Sequence, residues 1–177
     1  MFHDTFPFPC RWVIEEDTPV KNSLRKGISF GLTSAVITTL GLMVGLNSGT
    51  HSRIAVLAGI LTIAIADAFS DALGIHVSEE AENVHTGKQI WGATAATFLT
   101  KFMFAMTFVV PVVLLSLSTA IVVSLIWGMS ILTVLSYVIA RSQGVQPSKI
   151  IGEHLMIATV VIAVTHWVGD RIGTMGA

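Results

Sequence analysis

The chain has 177 residues, of which 53% are hydrophobic and only 12% are charged, and its formal net charge is −1 at neutral pH. This composition, with a mean hydropathy of +0.76, indicates an integral membrane protein and excludes an ordinary soluble domain. The few basic residues are scattered, which excludes a surface for nucleic acid, and the single cysteine excludes an internal disulfide framework.

Residues 1–26 combine aromatic and charged side chains, such as Phe2 and Trp12 beside Glu15 and Asp17. They contain no continuous apolar stretch, so we expect no cleaved signal peptide. The mixture favours a segment that lies in the membrane interface. A loosely ordered tail is the alternative.

Five apolar stretches follow, each long enough to cross a bilayer as a helix of roughly 20 residues. They cover residues 27–46, 54–77, 90–115, 119–140 and 150–172. Because the connections are short, the sequence predicts one all-α domain of five transmembrane helices over the rest of the chain, up to residue 177. Basic residues are concentrated at the helix ends on the N-terminal side, which predicts a cytoplasmic N-terminus and an outward-facing C-terminus.

The first predicted helix has small residues at three- and four-residue spacing. Such a face lets another backbone approach closely. It packs either against helix two of the same chain or against a second copy as a homodimer seam, and the sequence leaves both open. The residues are Gly27, Gly31, Ser34, Thr38, Gly41 and Gly45.

Two aspartates, Asp67 and Asp71, lie one helical turn apart inside the second apolar stretch, and Lys101 lies inside the third. A charged side chain at the bilayer centre costs about 2.5–3.5 kcal/mol on insertion scales, so such residues are usually functional. At ~1.5 Å per residue, Asp67 and Lys101 lie ~15 and ~16 Å from the helix ends on the N-terminal side. We therefore expect the three charges at one depth, as an ion or proton site or as a structural ion pair.

A second group of ionisable residues follows the second helix and contains Glu79, Glu82 and His85. Carboxylates together with imidazole suit a first-row divalent metal ion. Glu153, at the start of the last helix, is predicted to lie on the same side, where it either joins this group or only interacts favourably with the helix dipole. The alternative is a solvated charge run at a helix end.

Three stretches of the chain follow the helices of a known family in order. They are GLTSAVITTLGLMVGL in the first helix, AGILTIAIADAFSDALG in the second and QPSKIIGEHLMIATVVIAVTHWVGDRIG in the last. Together they resemble the vacuolar iron transporter family over about residues 27–173. The resemblance implies a five-helix fold and a homodimer that exchanges Fe²⁺ or Mn²⁺ for protons along a path between protomers. The long metal-binding insert of some members is missing here.

From these observations we expect a multi-pass protein of a prokaryotic plasma (inner) membrane that transports Fe²⁺ or Mn²⁺ by proton exchange. The metal ion is cargo, and no permanently bound cofactor is expected. Asp67 and Asp71 are the expected central ligands, Lys101 modulates their charge, and Ser34 and Thr38 lie along the path. The alternatives are a transporter of protons or a small solute, and a scaffold subunit with a structural Asp–Lys pair. An enzyme is not expected, because no nucleophile shares a helix face with a base.

Overall fold

A computed structural model describes residues 19–175 of the chain. Within this range all regular structure is helical, and five helices are long and apolar enough to cross a membrane. We number them α1 to α5 in chain order: Pro19–Thr50, Arg53–Ala81, Gly87–Leu114, Leu117–Gln143 and Pro147–Met175. For the described residues, the prediction of an all-α protein with five helices long and apolar enough to span a membrane is confirmed, whereas orientation and dimerisation stay predictions.

The helices extend beyond the apolar stretches that predicted them. α1 begins at Pro19 rather than at residue 27, so residues 19–26 of the predicted interfacial segment belong to a helix. Hydropathy marks the part of a helix that faces lipid, while backbone hydrogen bonds continue into the polar residues at either end. Proline fits the first helical position, where its missing N–H loses no bond. The rest of that predicted segment, residues 1–18, lies outside the described residues.

α1 is the central helix of the fold. Half of its most apolar part is buried inside the protein, compared with 6% for α5. Its main neighbours are α3 and α5. Toward the N-terminal end, Gly27 and Gly31 lie directly against the backbone of Ala93 and Thr97 in α3.

The other end of α1 uses its glycines against α5. Gly45 meets Thr165, and a methyl group added to Gly169 would overlap the carbonyl oxygen of Gly45. The small face is therefore covered within one chain, by α3 and α5, and its glycines are not free to form a homodimer seam. The expectation of helix two as its partner was wrong, because residue spacing identifies a face for close packing but not the helix that fills it.

α3 consists of two helical segments, Gly87–Thr107 and Val109–Leu114, separated at Phe108. Pro111 causes this interruption, because proline has no N–H to donate to the carbonyl four residues earlier, at Thr107. The main apolar core lies near this break and is built from residues of α1 to α5 that include Leu40, Ile60 and Phe108.

The outer surface of the bundle is apolar, as expected for contact with lipid. On α2 a row of large exposed side chains repeats every four residues, which places them on one face. These residues are Leu61, Ile65, Phe69, Leu73 and Val77. The inner side of the same helix carries its buried residues, which include Ala68, Ala72 and Glu79.

The close contact between α1 and α5 leads to a prediction about stability. Replacing Gly169 with alanine should destabilise the protein by about 1–3 kcal/mol, because the added methyl group has no space beside Gly45. Gly152→Ala is the matched control on the same helix, since nothing lies within 4 Å of the position that its Cβ would take. Thermal unfolding in detergent should give a lower midpoint for Gly169→Ala alone. Equal midpoints for both variants would contradict the described packing.

Candidate functional site

The predicted charges of α2 and α3 meet at one point. The Nζ atom of Lys101 lies 2.5 Å from Oδ2 of Asp67, 2.5 Å from Oδ2 of Asp71 and 2.8 Å from Oγ of Ser34. The Lys101 side chain is completely buried. These four residues, which we call the central site, connect α1, α2 and α3 and confirm that the three charges lie at one depth.

The two aspartates are held in different ways. Lys101 donates hydrogen bonds to Asp71 and to Ser34, whereas its close contact with Asp67 is ionic and lacks the geometry of a hydrogen bond. The side chains of Asp67 and Asp71 remain 32% and 18% exposed. With both carboxylates ionised and the ammonium charged, the site carries a net charge of −1. It therefore has capacity for a proton or a further cation.

A π-helical turn, Ile63–Asp67, ends on the first of these aspartates. Such turns insert an extra residue into an α-helix and are frequent at functional sites. The insertion rotates the preceding part of α2 about the helix axis relative to Asp71. The sequence did not predict this turn, because its residues are ordinary helix formers.

Thr38 was predicted beside the central site, but its hydroxyl donates to the backbone carbonyl of Ser34, at 2.8 Å. This bond runs within α1 and leaves the Thr38 side chain outside the four-residue contact. Of the two path residues predicted on α1, the structure brings only Ser34 to the ammonium.

A second charged group lies at the end of α2, and we call it the helix-end cluster: Lys26, Glu79, Glu82 and His85. Glu79 and Glu82 each use Oε1 toward Lys26, in an ion pair and in a 2.9 Å hydrogen bond respectively. Each uses Oε2 toward Nε2 of His85, at 3.5 and 3.0 Å. The ammonium and the imidazole thus lie on opposite sides of the carboxylate pair.

Burial differs within this cluster. The Glu79 side chain is fully buried, and neither of its oxygens makes a hydrogen bond, although Oε1 forms the ion pair with Lys26. Glu82 is 45% exposed. The hydrogen bond from Lys26, followed by the one from His85, lowers the pKa of Glu82 below its usual value and keeps it ionised.

The three predicted residues of this cluster are brought together. Within residues 19–175, Glu79, Glu82 and His85 are the one group of three such side chains whose ligand atoms lie close enough to share a metal ion, within 4.8 Å of one another. Glu153 is exposed on α5 and is not part of this group. The sequence also missed Lys26, which served only as evidence for orientation because the first helix was expected to begin after it.

No family model, characterised protein or solved structure matches this chain. The resemblance to vacuolar iron transporters accordingly stays a prediction from the sequence.

The central site gives a prediction about stability. Lys101→Met removes the only cation of the central site and leaves two partly buried carboxylates, so it should destabilise the protein by about 3–5 kcal/mol. Adding Asp71→Asn should recover part of this loss, because the two residues interact directly. Lys149→Met, at an exposed position, is the control. The measurement is the unfolding midpoint of each variant in detergent, and strictly additive effects of Lys101→Met and Asp71→Asn would contradict a direct ion pair.

Proposed function

We propose that this protein is a membrane transporter that moves a divalent metal ion, Fe²⁺ or Mn²⁺, in exchange for protons. The observation that carries the proposal is the central site, where two carboxylates share one lysine ammonium between three helices. Ionisable groups within membrane helices are rare, and they usually mark an ion or proton path. Oxygen ligands suit both metals, and the helix-end cluster adds an imidazole.

Charge balance supports an exchange of ions at the central site. Lys101 compensates one of the two negative charges, and one proton on Asp67 or Asp71 compensates the other. A divalent ion balances both carboxylates by itself, so its arrival releases the carboxyl proton and separates the ammonium from the carboxylates. For the site to stay neutral, Lys101 must then also lose a proton or move its charge out of the buried site. In this scheme Lys101 is a tethered cation, which keeps the carboxylates from being left bare when no metal is bound.

The helix-end cluster lies eight residues from Asp71 along α2, which corresponds to ~12 Å of helix. Its carboxylates and imidazole form a place where an ion is received or released at the membrane surface. The partial exposure of Asp67 and Asp71 also favours the expected homodimer, because a second copy over this side of α2 would cover carboxylates that otherwise face lipid.

A scaffold subunit is the second candidate, and one observation favours it. The Lys101 ammonium has three oxygen atoms around it: it donates hydrogen bonds to Ser34 and Asp71 and forms an ion pair with Asp67. A fully matched ammonium is what a structural ion pair requires. The two candidates differ in transport, since a scaffold moves no ion with or without the lysine.

Purified protein in proteoliposomes that contain a pH-sensitive dye tests the proposal. We expect uptake of Mn²⁺ or Fe²⁺ with a coupled change of internal pH. Asp67→Asn and Asp71→Asn should each abolish both signals, because each substitution removes a ligand and a proton carrier. Asp170→Asn is the control. Asp170 is exposed and lies near the C-terminal end of α5, so this variant should transport normally.

The results separate the candidates. Absence of both signals in the unmodified protein would contradict metal–proton exchange and favour the scaffold. A pH signal without metal uptake indicates a proton transporter. Full activity in both aspartate variants would exclude the central site from the route.

A further inference from the structure

We propose that the helix-end cluster binds one divalent cation through Oε2 of Glu79, Oε2 of Glu82 and Nε2 of His85, and that Lys26 keeps this binding weak. Lys26 is a positioning residue and makes no bond to the ion. That weak binding helps transport, by letting the ion leave again, depends on the proposed function. The proposal that the cluster binds a cation does not depend on it.

The division of the carboxylate oxygens defines the ligand set. Lys26 occupies Oε1 of both glutamates, and the atoms that remain, both Oε2 atoms and the imidazole nitrogen, already face one another at 3.0 and 3.5 Å. A cation at this point does not need to displace the lysine. It replaces the hydrogen bond between Nε2 of His85 and Glu82, and the imidazole then carries its proton on Nδ1 so that Nε2 offers a lone pair. Two carboxylates and one imidazole are the oxygen and nitrogen ligands that Mn²⁺ and Fe²⁺ accept.

The burial of Glu79 points independently to a ligand. Its side chain has no exposed area, and its Oε2 makes no hydrogen bond. A buried carboxylate normally accepts several hydrogen bonds, and one without them requires a cation. Lys26 meets this need only at Oε1, because Oε2 has the imidazole of His85 at 3.5 Å and no closer partner in the helix-end cluster.

The position of Lys26 explains why the bound ion is released. Its ammonium lies on the opposite side of the same two carboxylates, where its positive charge repels a divalent cation. Between an ammonium and a divalent ion separated only by a carboxylate group, this repulsion weakens binding about tenfold even in water. The lysine also orients the glutamates by holding one oxygen of each.

The test is equilibrium binding of Mn²⁺ to the full-length protein in detergent, with free Mn²⁺ measured by electron paramagnetic resonance after removal of bound metal with a chelator. Glu79→Gln should weaken binding at least tenfold, since it removes the buried ligand. Glu80→Gln is the matched control, because Glu80 is the exposed neighbour of Glu79. The affinity of Glu80→Gln for Mn²⁺ should stay close to that of the unmodified protein, because Glu80 is not one of the proposed ligands.

Lys26 is tested with two variants. Lys26→Met removes the charge and should tighten Mn²⁺ binding about tenfold, whereas Lys26→Arg keeps the charge and should leave the affinity close to that of the unmodified protein. Weaker or unchanged binding in Lys26→Met would overturn the assigned role of the lysine. Each variant is first checked by gel filtration, and His85→Gln replaces Glu79→Gln if the latter aggregates.

Unchanged binding in Glu79→Gln and His85→Gln would overturn the site. Because the titration involves no transport, its outcome is separate from the vesicle experiment. Metal uptake without binding at this cluster contradicts the present inference alone. Binding at the cluster without any uptake contradicts the proposed function alone.

Discussion

The arrangement of α1, α2 and α3 depends on the burial of one ammonium group. Lys101 has no exposed area, and among residues 19–175 its charge is compensated by Asp67 and Asp71 of α2, while the hydroxyl of Ser34 of α1 accepts one of its hydrogen bonds. A buried charge that loses its partner destabilises a protein strongly, whereas a matched group restricts which helices can be neighbours. The two glycines of α1 that touch α3 bring the backbones close enough for the lysine to reach Ser34.

Much of this arrangement follows from the sequence because membrane insertion imposes simple rules. Apolar length predicts the number of spanning helices, and a constant rise per residue converts positions in two helices into depths. Asp67 and Lys101 were placed at one level in this way, and the high cost of an unpaired charge makes their contact the expected result. The same reasoning cannot distinguish a transport site from a structural ion pair, because both require equal depths.

Other features depend on contacts between helices that are distant in sequence. The spacing of Gly27, Gly31 and Gly45 predicts close packing, yet all the other spanning helices are apolar too, and only the complete fold selects α3 and α5 as partners. The π-helical turn before Asp67 has no sequence signature, since an inserted residue is stabilised by packing and not by local propensity. Lys26 reaches Glu79 because α1 extends beyond its apolar part, which hydropathy does not reveal.

Acidic groups and their counter-charges are distributed unequally among the helices. Asp67, Asp71 and Glu79 all belong to α2, whereas Lys26 and Lys101 come from α1 and α3. Under the proposed function, a cation that neutralises these carboxylates also loosens the electrostatic contact of α2 with both neighbours. Ile75 lies between Asp71 and Glu79 at four-residue spacing and is 8% exposed, so an apolar side chain packed inside the protein separates the two charged sites along α2. Binding of the ion and release of α2 are then consequences of the same change in charge, which is a physical basis for coupling occupancy to movement.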